Sequence, residues 1–375
     1  MVTEEYLANA GRLAALPGHT HLLHAQCYRP PMVRCMLLAI LLMPLSATGG
    51  DPAATIGLQP HVVFTHDAPL ARSAELVRRL LSPLEALRVN ATTLHPAHAM
   101  REQPLDPGHE SFAVYVPTSA PLHGYALLVF VPPWPEAGVP RTWIPALDRH
   151  GTIFVSAANS GNEANVLDRR IPLALLAAQN IMQRYPVDPQ RVYIGGFSGG
   201  SRVAERVALA YPDLFHGALL MAGSDPIGNA QLVLPPASLF RQFQESTRLI
   251  YLTGQHDAFH LDLDTRSRQS LRKWCVFHAD IVPVPGAGHE LADPAPLQRA
   301  LDALDKPAPP ATAKLAACRA RIDKQLTAQL QQVERLLTDG KFDDARKQLE
   351  KVDARYGGVA APRSVELAER IETLR

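Results

Sequence analysis

From about residue 110 the chain alternates short apolar runs with helical stretches. The runs FAVYV (112–116), YALLVFV (125–131), TIFVSAA (152–158), RVYIGGF (191–197), GALLMAG (217–223), RLIYLTG (248–254) and ADIVPV (279–284) predict strands. Helices are predicted between them over about 170–185, 200–211 and 264–277. The middle runs are continuously apolar rather than alternating, which a sheet covered on both faces requires. Strands alternating with helices predict an α/β chain with a mostly parallel, doubly wound sheet.

Flanking this region the pattern changes. Residues 61–66 (HVVFTH) predict one more short strand, and Leu76, Leu80, Leu84 and Leu87 mark one or two amphipathic helices over 72–90, with Pro83 where the second would begin. The stretch 306–313 (KPAPPATA) reads as a stiff proline-rich linker. Beyond it every periodic segment is helical, so 314–375 forms a small all-helical C-terminal extension. One helix carries Leu315, Cys318, Ile322, Leu326, Leu330, Val333 and Leu337 on a single stripe. A second follows Gly340 and stops at Gly357-Gly358, and 363–374 make a third. The Gly-x-Phe-x-x-Ala turn at 340–345 is similar to half a tetratricopeptide repeat, but no second copy follows at that period, so a solenoid is not expected. Leu and Ile at helical spacing ordinarily mean core, so docking on the main domain or folding as a small bundle is the default for the tail; protein contact through it is the alternative.

Charge narrows the partners. Lys plus Arg number 37 against 36 Asp plus Glu, a formal net charge of +1, with no basic block able to neutralise several phosphates, so nucleic acid is not expected. From Met32 the chain reads MVRCMLLAILLMPLSATGG: a basic residue, an apolar run of about ten residues, then small residues, the order of a secretory signal. The run is short of the ~20 residues a membrane span needs. Residues 1–31 therefore read as an upstream mis-start, 32–49 as a signal cut after Ala47 or Gly49, and 50–109 as an N-terminal extension before the main domain at 110–305. The destination would be periplasmic or extracellular. Cys27 and Cys35 fall before the mature chain, leaving Cys275 and Cys318, which either pair in an oxidising compartment or are separately buried.

The chemistry concentrates at Gly196-Phe197-Ser198-Gly199-Gly200, which follows a predicted strand and opens a predicted helix. There the glycines permit a sharp turn that lifts a serine above the sheet end, and the helix N-terminus faces developing negative charge. Ser198 is the candidate nucleophile and the Gly199 N–H a candidate oxyanion donor. A serine needs a base oriented by an acid. Asp257 lies just past RLIYLTG, and His289 lies in Gly286-Ala-Gly-His-Glu290 just past the last predicted strand. The order Ser, Asp, His, each at the C-terminal end of a strand, puts all three on one rim of a parallel sheet. Asp262 and Asp264 are competing carboxylates, expected instead to cap and begin the next helix. Asn159 and Asn162 either contact substrate or hold their loop, and residues 224–247 form an apolar connection that is either a lid or packing. The mixed run of His256, Asp257, His260, Asp262 and Asp264 offers metal-ligating side chains, but ligands must converge at fixed distances and a second cluster is missing, so no metal is expected.

On VFVPPW (129–134), SAANSGN (156–162), the GFSGG elbow, YPDLFHGALLMAG (211–223), LTGQHD (252–257) and GAGHE (286–290), the stretch 110–305 resembles the α/β-hydrolase superfamily, and within it bacterial esterases akin to polyhydroxybutyrate depolymerases and feruloyl esterases. The resemblance implies an α/β-hydrolase fold with Ser198, Asp257 and His289 as triad, and by itself it implies no substrate; taken with the triad it points to a carboxylic ester, small-molecule or polymeric, cleaved without a cofactor. Many relatives carry His-Gly where this chain has Pro132-Pro133. Prolines lack an N–H, so the second oxyanion donor is Trp134 or a later residue, and aligning the prolines with the relatives' His-Gly favours Trp134. A cis peptide before either proline would reshape this loop. Two alternatives to an esterase stand: a peptidase of the prolyl-oligopeptidase-like kind, against which no propeller or acidic clamp is apparent, and a catalytically silent fold with a partner-binding tail.

Overall fold

Eight strands form one sheet in the computed structural model, which describes residues 55–93, 102–306 and 312–374. The upstream segment 1–31, the export signal 32–49 and residues 307–311 of the linker lie outside the described residues. The strands are β1 (Gly57–Val63), β2 (Ser111–Val116), β3 (Tyr125–Val131), β4 (Thr152–Ala157), β5 (Val187–Phe197), β6 (Gly217–Met221), β7 (Arg248–Tyr251) and β8 (Ala279–Ile281). Their order is β1-β2-β4-β3-β5-β6-β7-β8, with β2 antiparallel to both neighbours and β4 through β8 parallel. That order, with its antiparallel second strand, is the α/β-hydrolase fold.

Each face of the sheet has its own core. Along β3, Leu127, Val129 and Val131 enter one core and Ala126, Leu128 and Phe130 the other, as the two-residue period of a strand demands. The first core is covered by α4 (Ile171–Arg184) and α5 (Gly199–Ala210), the second by α3 (Ile144–His150) and α8 (Pro294–Leu304). The helices α3 and α8 were not anticipated. Both are short and carry a proline in the first turn, Pro145 at the second position of α3 and Pro294 at the first of α8, and α3 ends on Gly151 at φ 62°, a left-handed C-cap. Strand β1 begins and ends a little earlier than predicted, β7 and β8 are shorter, and the 224–247 connection contains a helix, α6 (Ala237–Ser246). Its Leu232, Leu234, Phe240 and Phe243 are buried in the first core, so the connection serves as packing.

Two further helices, α1 (Ser73–Leu80) and α2 (Pro83–Thr93), split at Pro83 as expected, and the tail forms α9 (Ala313–Thr338), α10 (Phe342–Tyr356) and α11 (Arg363–Thr373). The predicted stripe of α9 is buried from Leu315 to Leu337 except for the half-buried Cys318, and it enters the same apolar core as the sheet. Gly358 donates its N–H to the Leu234 carbonyl at 2.8 Å. The side chain of Asp353 accepts the Leu84 N–H at 3.1 Å, and the Trp274 and Tyr356 rings meet edge-on at 5.5 Å. A disulfide joins Cys275 to Cys318, with Cα atoms 5.8 Å apart. Among the described residues no helix is long and apolar enough to cross a membrane.

One buried acid ties α5 to its surroundings. Glu205 accepts the Asp225 N–H at 2.6 Å and the Ser267 hydroxyl at 2.9 Å, the latter from α7 (Ala258–Lys273). Burial, with the nearby charge of Asp225, pushes its pKa from 4.5 up to about 8. The folded state thus holds a proton that the unfolded state has released, so stability falls as pH climbs from about 4.5 to 8. Glu205→Gln removes that dependence: its melting temperature, followed by calorimetry, gains on wild type steadily between pH 5 and 8. Parallel curves would sink the assignment. For the tail, Leu349→Ala in α10 should cost about 2–5 kcal/mol and shift one urea transition of the whole chain; a separate early transition confined to the tail would contradict a shared core.

Candidate active site

The backbone around Ser198 is the strained part of the site. Ser198 sits at φ 54°, ψ −121°, a region that L-residues other than glycine rarely adopt. The turn closes because a Cβ at Gly196 would collide with the Gly200 backbone and a Cβ at Gly200 with the Val131 carbonyl; both positions admit only glycine. The Ser198 N–H donates to the Met221 carbonyl at 2.8 Å, which fastens the turn to the neighbouring strand β6. The serine therefore stands at the C-terminal end of β5 and at the N-terminus of α5.

Its partners arrive from two adjoining loops stitched together by the backbone. The Gln255 N–H donates to the Val284 carbonyl at 3.0 Å and the His256 N–H to the Ala287 carbonyl at 2.9 Å. This brings His289 Nε2 to 3.1 Å from the Ser198 hydroxyl and His289 Nδ1 to 2.7 Å from Asp257 Oδ2. Asp257 is nearly buried, whereas His289 keeps 40% of its side chain exposed, so the base can reach both its acid and an incoming molecule. Burial alone would raise the Asp257 pKa, but hydrogen bonds from His260 and His289 outweigh it and hold the carboxyl below its ordinary value. Asp257 is ionised and able to stabilise a protonated imidazole.

The competing carboxylates lie elsewhere. Asp262 is exposed and paired with Arg266 at 2.6 Å, and Asp264 is buried, accepting from the Ser224 and Thr253 hydroxyls at 2.6 Å each. Neither caps a helix. Asp257 does so itself, starting α7 at Ala258 rather than near 264 and placing Asp262 and Asp264 inside it. That correction has a physical source: one carboxylate serves both as helix N-cap and as partner to His289.

The loop after β3 lies against the nucleophile turn. The Pro133 carbonyl accepts the Asn162 N–H at 3.0 Å and the Pro135 carbonyl the Asn159 N–H at 2.6 Å, so both asparagines hold the loop through their backbones. The peptides before Pro132 and Pro133 are trans; the one cis peptide among the described residues precedes Pro362. Asn162 also brings its side-chain amide against Gly199. The Trp134 ring lies 6.2 Å from that of Phe197, whose own ring lies 4.8 Å from His289. Among the described residues, the Gly199 and Trp134 N–H groups have no protein acceptor. Sequence reasoning gave His260 no role beside Asp257, yet its Nδ1 lies 2.8 Å from Asp257 Oδ2. The donor atoms of Asp257, His260 and His289 all fall within 4.8 Å of one another, making this the one set among the described residues close enough to hold a metal ion.

No family model matches the chain, and no curated protein matches it in sequence. Solved structures resemble it. An S-formylglutathione hydrolase from Staphylococcus aureus is 13% identical with a TM-score of 0.41, over 54% of this chain and 94% of that one. A ferulic acid esterase is 18% identical with a TM-score of 0.38, over 51% and 88%. A poly(3-hydroxybutyrate) depolymerase from Bordetella parapertussis is 19% identical with a TM-score of 0.39, over 56% and 88%. Each resemblance covers about half of the chain, at identities that leave the chemistry to be read from the site itself.

Proposed function

We propose that the chain is an exported serine hydrolase that cleaves carboxylic esters, small or polymeric, through an acyl-enzyme. The observation that carries this reading is the unbroken hydrogen-bonded series from Ser198 through His289 to a buried, ionised Asp257. Ser198 Oγ attacks the ester carbonyl while His289 Nε2 takes its proton. Asp257 holds the Nδ1–H tautomer and stabilises the imidazolium. The tetrahedral oxyanion is received by the Gly199 and Trp134 N–H groups, helped by the N-terminal dipole of α5. As the intermediate collapses, His289 returns the proton to the departing alcohol; water then repeats the cycle on the acyl group. Every group in this sequence belongs to the chain or to water. Export is supported by the Cys275–Cys318 disulfide, which suits an oxidising compartment.

Intact-mass measurement after treatment with a fluorophosphonate should show a single adduct on the wild-type chain and none on Ser198→Ala, while hydrolysis of p-nitrophenyl acetate falls by about three orders of magnitude or more in Ser198→Ala and His289→Ala. Folded wild type that takes no label would end the hydrolase reading in favour of a silent fold. The oxyanion assignment has its own test: Trp134→Ala keeps the N–H and Trp134→Pro removes it, so kcat should fall by about 100-fold or more only in the proline variant. An equal fall in both would take the Trp134 N–H out of the mechanism.

A further inference from the structure

Asp257 lies beneath two imidazoles. His260 Nδ1 is 2.9 Å from one carboxylate oxygen and 2.8 Å from the other, and it approaches the same Oδ2 that receives His289 Nδ1 at 2.7 Å. Its ring stacks on that of His289, with centroids 4.3 Å apart and planes 15° from parallel. The side chain is 15% exposed, covered in part by Phe259, whose ring meets it edge-on at 4.9 Å. Asp264, one turn further along α7, is a further charged group that His260 acts on electrostatically. The backbone offers Asp257 little by comparison: the N-cap contact from the His260 N–H is long, at 3.4 Å.

These contacts have a mechanical meaning. A carboxylate orients a catalytic imidazole only if its own rotation is fixed, and here the ring N–H of His260 reaches both oxygens where the backbone does not. Resting on the hydrolase reading above, we infer that His260 is a positioning residue of the triad, holding the Asp257 carboxylate in place and backing the ring of His289. His260 carries its proton on Nδ1 and donates it to the carboxylate. Asp257 then divides its charge between two donors, which makes it a weaker partner for each. Removing the second donor leaves the whole charge to His289, whose imidazolium becomes easier to form.

Two substitutions separate the hydrogen bond from the stack. His260→Phe keeps a flat ring beside His289 but has no donor; His260→Asn keeps an N–H near the Nδ1 position without the ring. In the full chain, His260→Phe should lower kcat for p-nitrophenyl acetate by roughly tenfold with KM within about twofold, and raise the acid-limb midpoint of kcat/KM by about half a pH unit or more. His260→Asn should bring both values most of the way back. Histidine side-chain ¹H–¹⁵N spectra, which need no turnover, should show the same upward move in the titration midpoint of His289. If wild type accepts fluorophosphonate but neither midpoint moves in His260→Phe, or both variants lose activity equally with unchanged midpoints, the positioning role is overturned and the hydrolase reading stands. If the His289 midpoint moves while wild type takes no label, the coupling stands and the hydrolase reading falls.

Discussion

A serine forced to φ 54° is the constraint on which the site depends. Such a conformation persists only where surrounding structure over-determines it, and here the surroundings are two glycine contacts, the carbonyl of Val131 at the end of β3, and a hydrogen bond to Met221 at the end of β6. Those two strands flank β5, so the central three strands of the sheet form the clamp. Everything that meets Ser198 is then a matter of which loops leave the same edge. The acid loop follows β7 and the base loop follows β8, and the parallel bridge Gly254 to Val284 continues their pairing beyond the strands proper. The sheet delivers three side chains to one point without any long loop having to find its way there.

Much of this was legible in the chain because each signal was local and redundant. A continuous apolar run ended at Gly196 and a helical pattern began after it, and Asp257 and His289 each lay just past a predicted strand. The clamp strands β3 and β5 are found over the expected residues, β5 with an added start, because runs such as YALLVFV have no other stable setting than a doubly covered sheet. What failed was whatever depended on cooperation across the sequence. The helix IPALDRH is too short to show a period, and its helicity follows from Trp143, Ala146 and Leu147 filling the second core. Helix α7 starts early because Asp257 caps it, a second job that a residue already assigned to catalysis does not advertise. His260 was passed over as one member of a mixed run of histidines and aspartates; only helical spacing of three from Asp257 turns it back toward the carboxylate. The pairing of Cys275 with Cys318 is likewise a fact of three-dimensional proximity.

The C-terminal helices change meaning once their buried stripe is followed. Their apolar residues join the core that covers one face of the sheet, and the glycines at 357 and 358 lie so close to the backbone of 234–236 that no side chain would fit. The connection after β6 is thus held between the tail and the body. Asp353 and Arg319 complete the seam, the first accepting from α2 and the second donating to Gln244 and Glu245 on α6. A surface that would otherwise be apolar is closed by the chain itself.

The Cys275–Cys318 bond encloses a ring of chain, and the ring contains His289 but neither Ser198 nor Asp257. The base is consequently carried on a tether closed at both ends, while its acid and its nucleophile lie on open chain before it. In a chain-entropy picture a closure spanning 43 residues restrains the unfolded ensemble by about 4 kcal/mol. It also means that a peptide bond cut anywhere between the two cysteines, including within the proline-rich stretch, yields two polypeptides that stay covalently joined. Release of the tail by a cut in that stretch therefore takes a reductant as well as a protease.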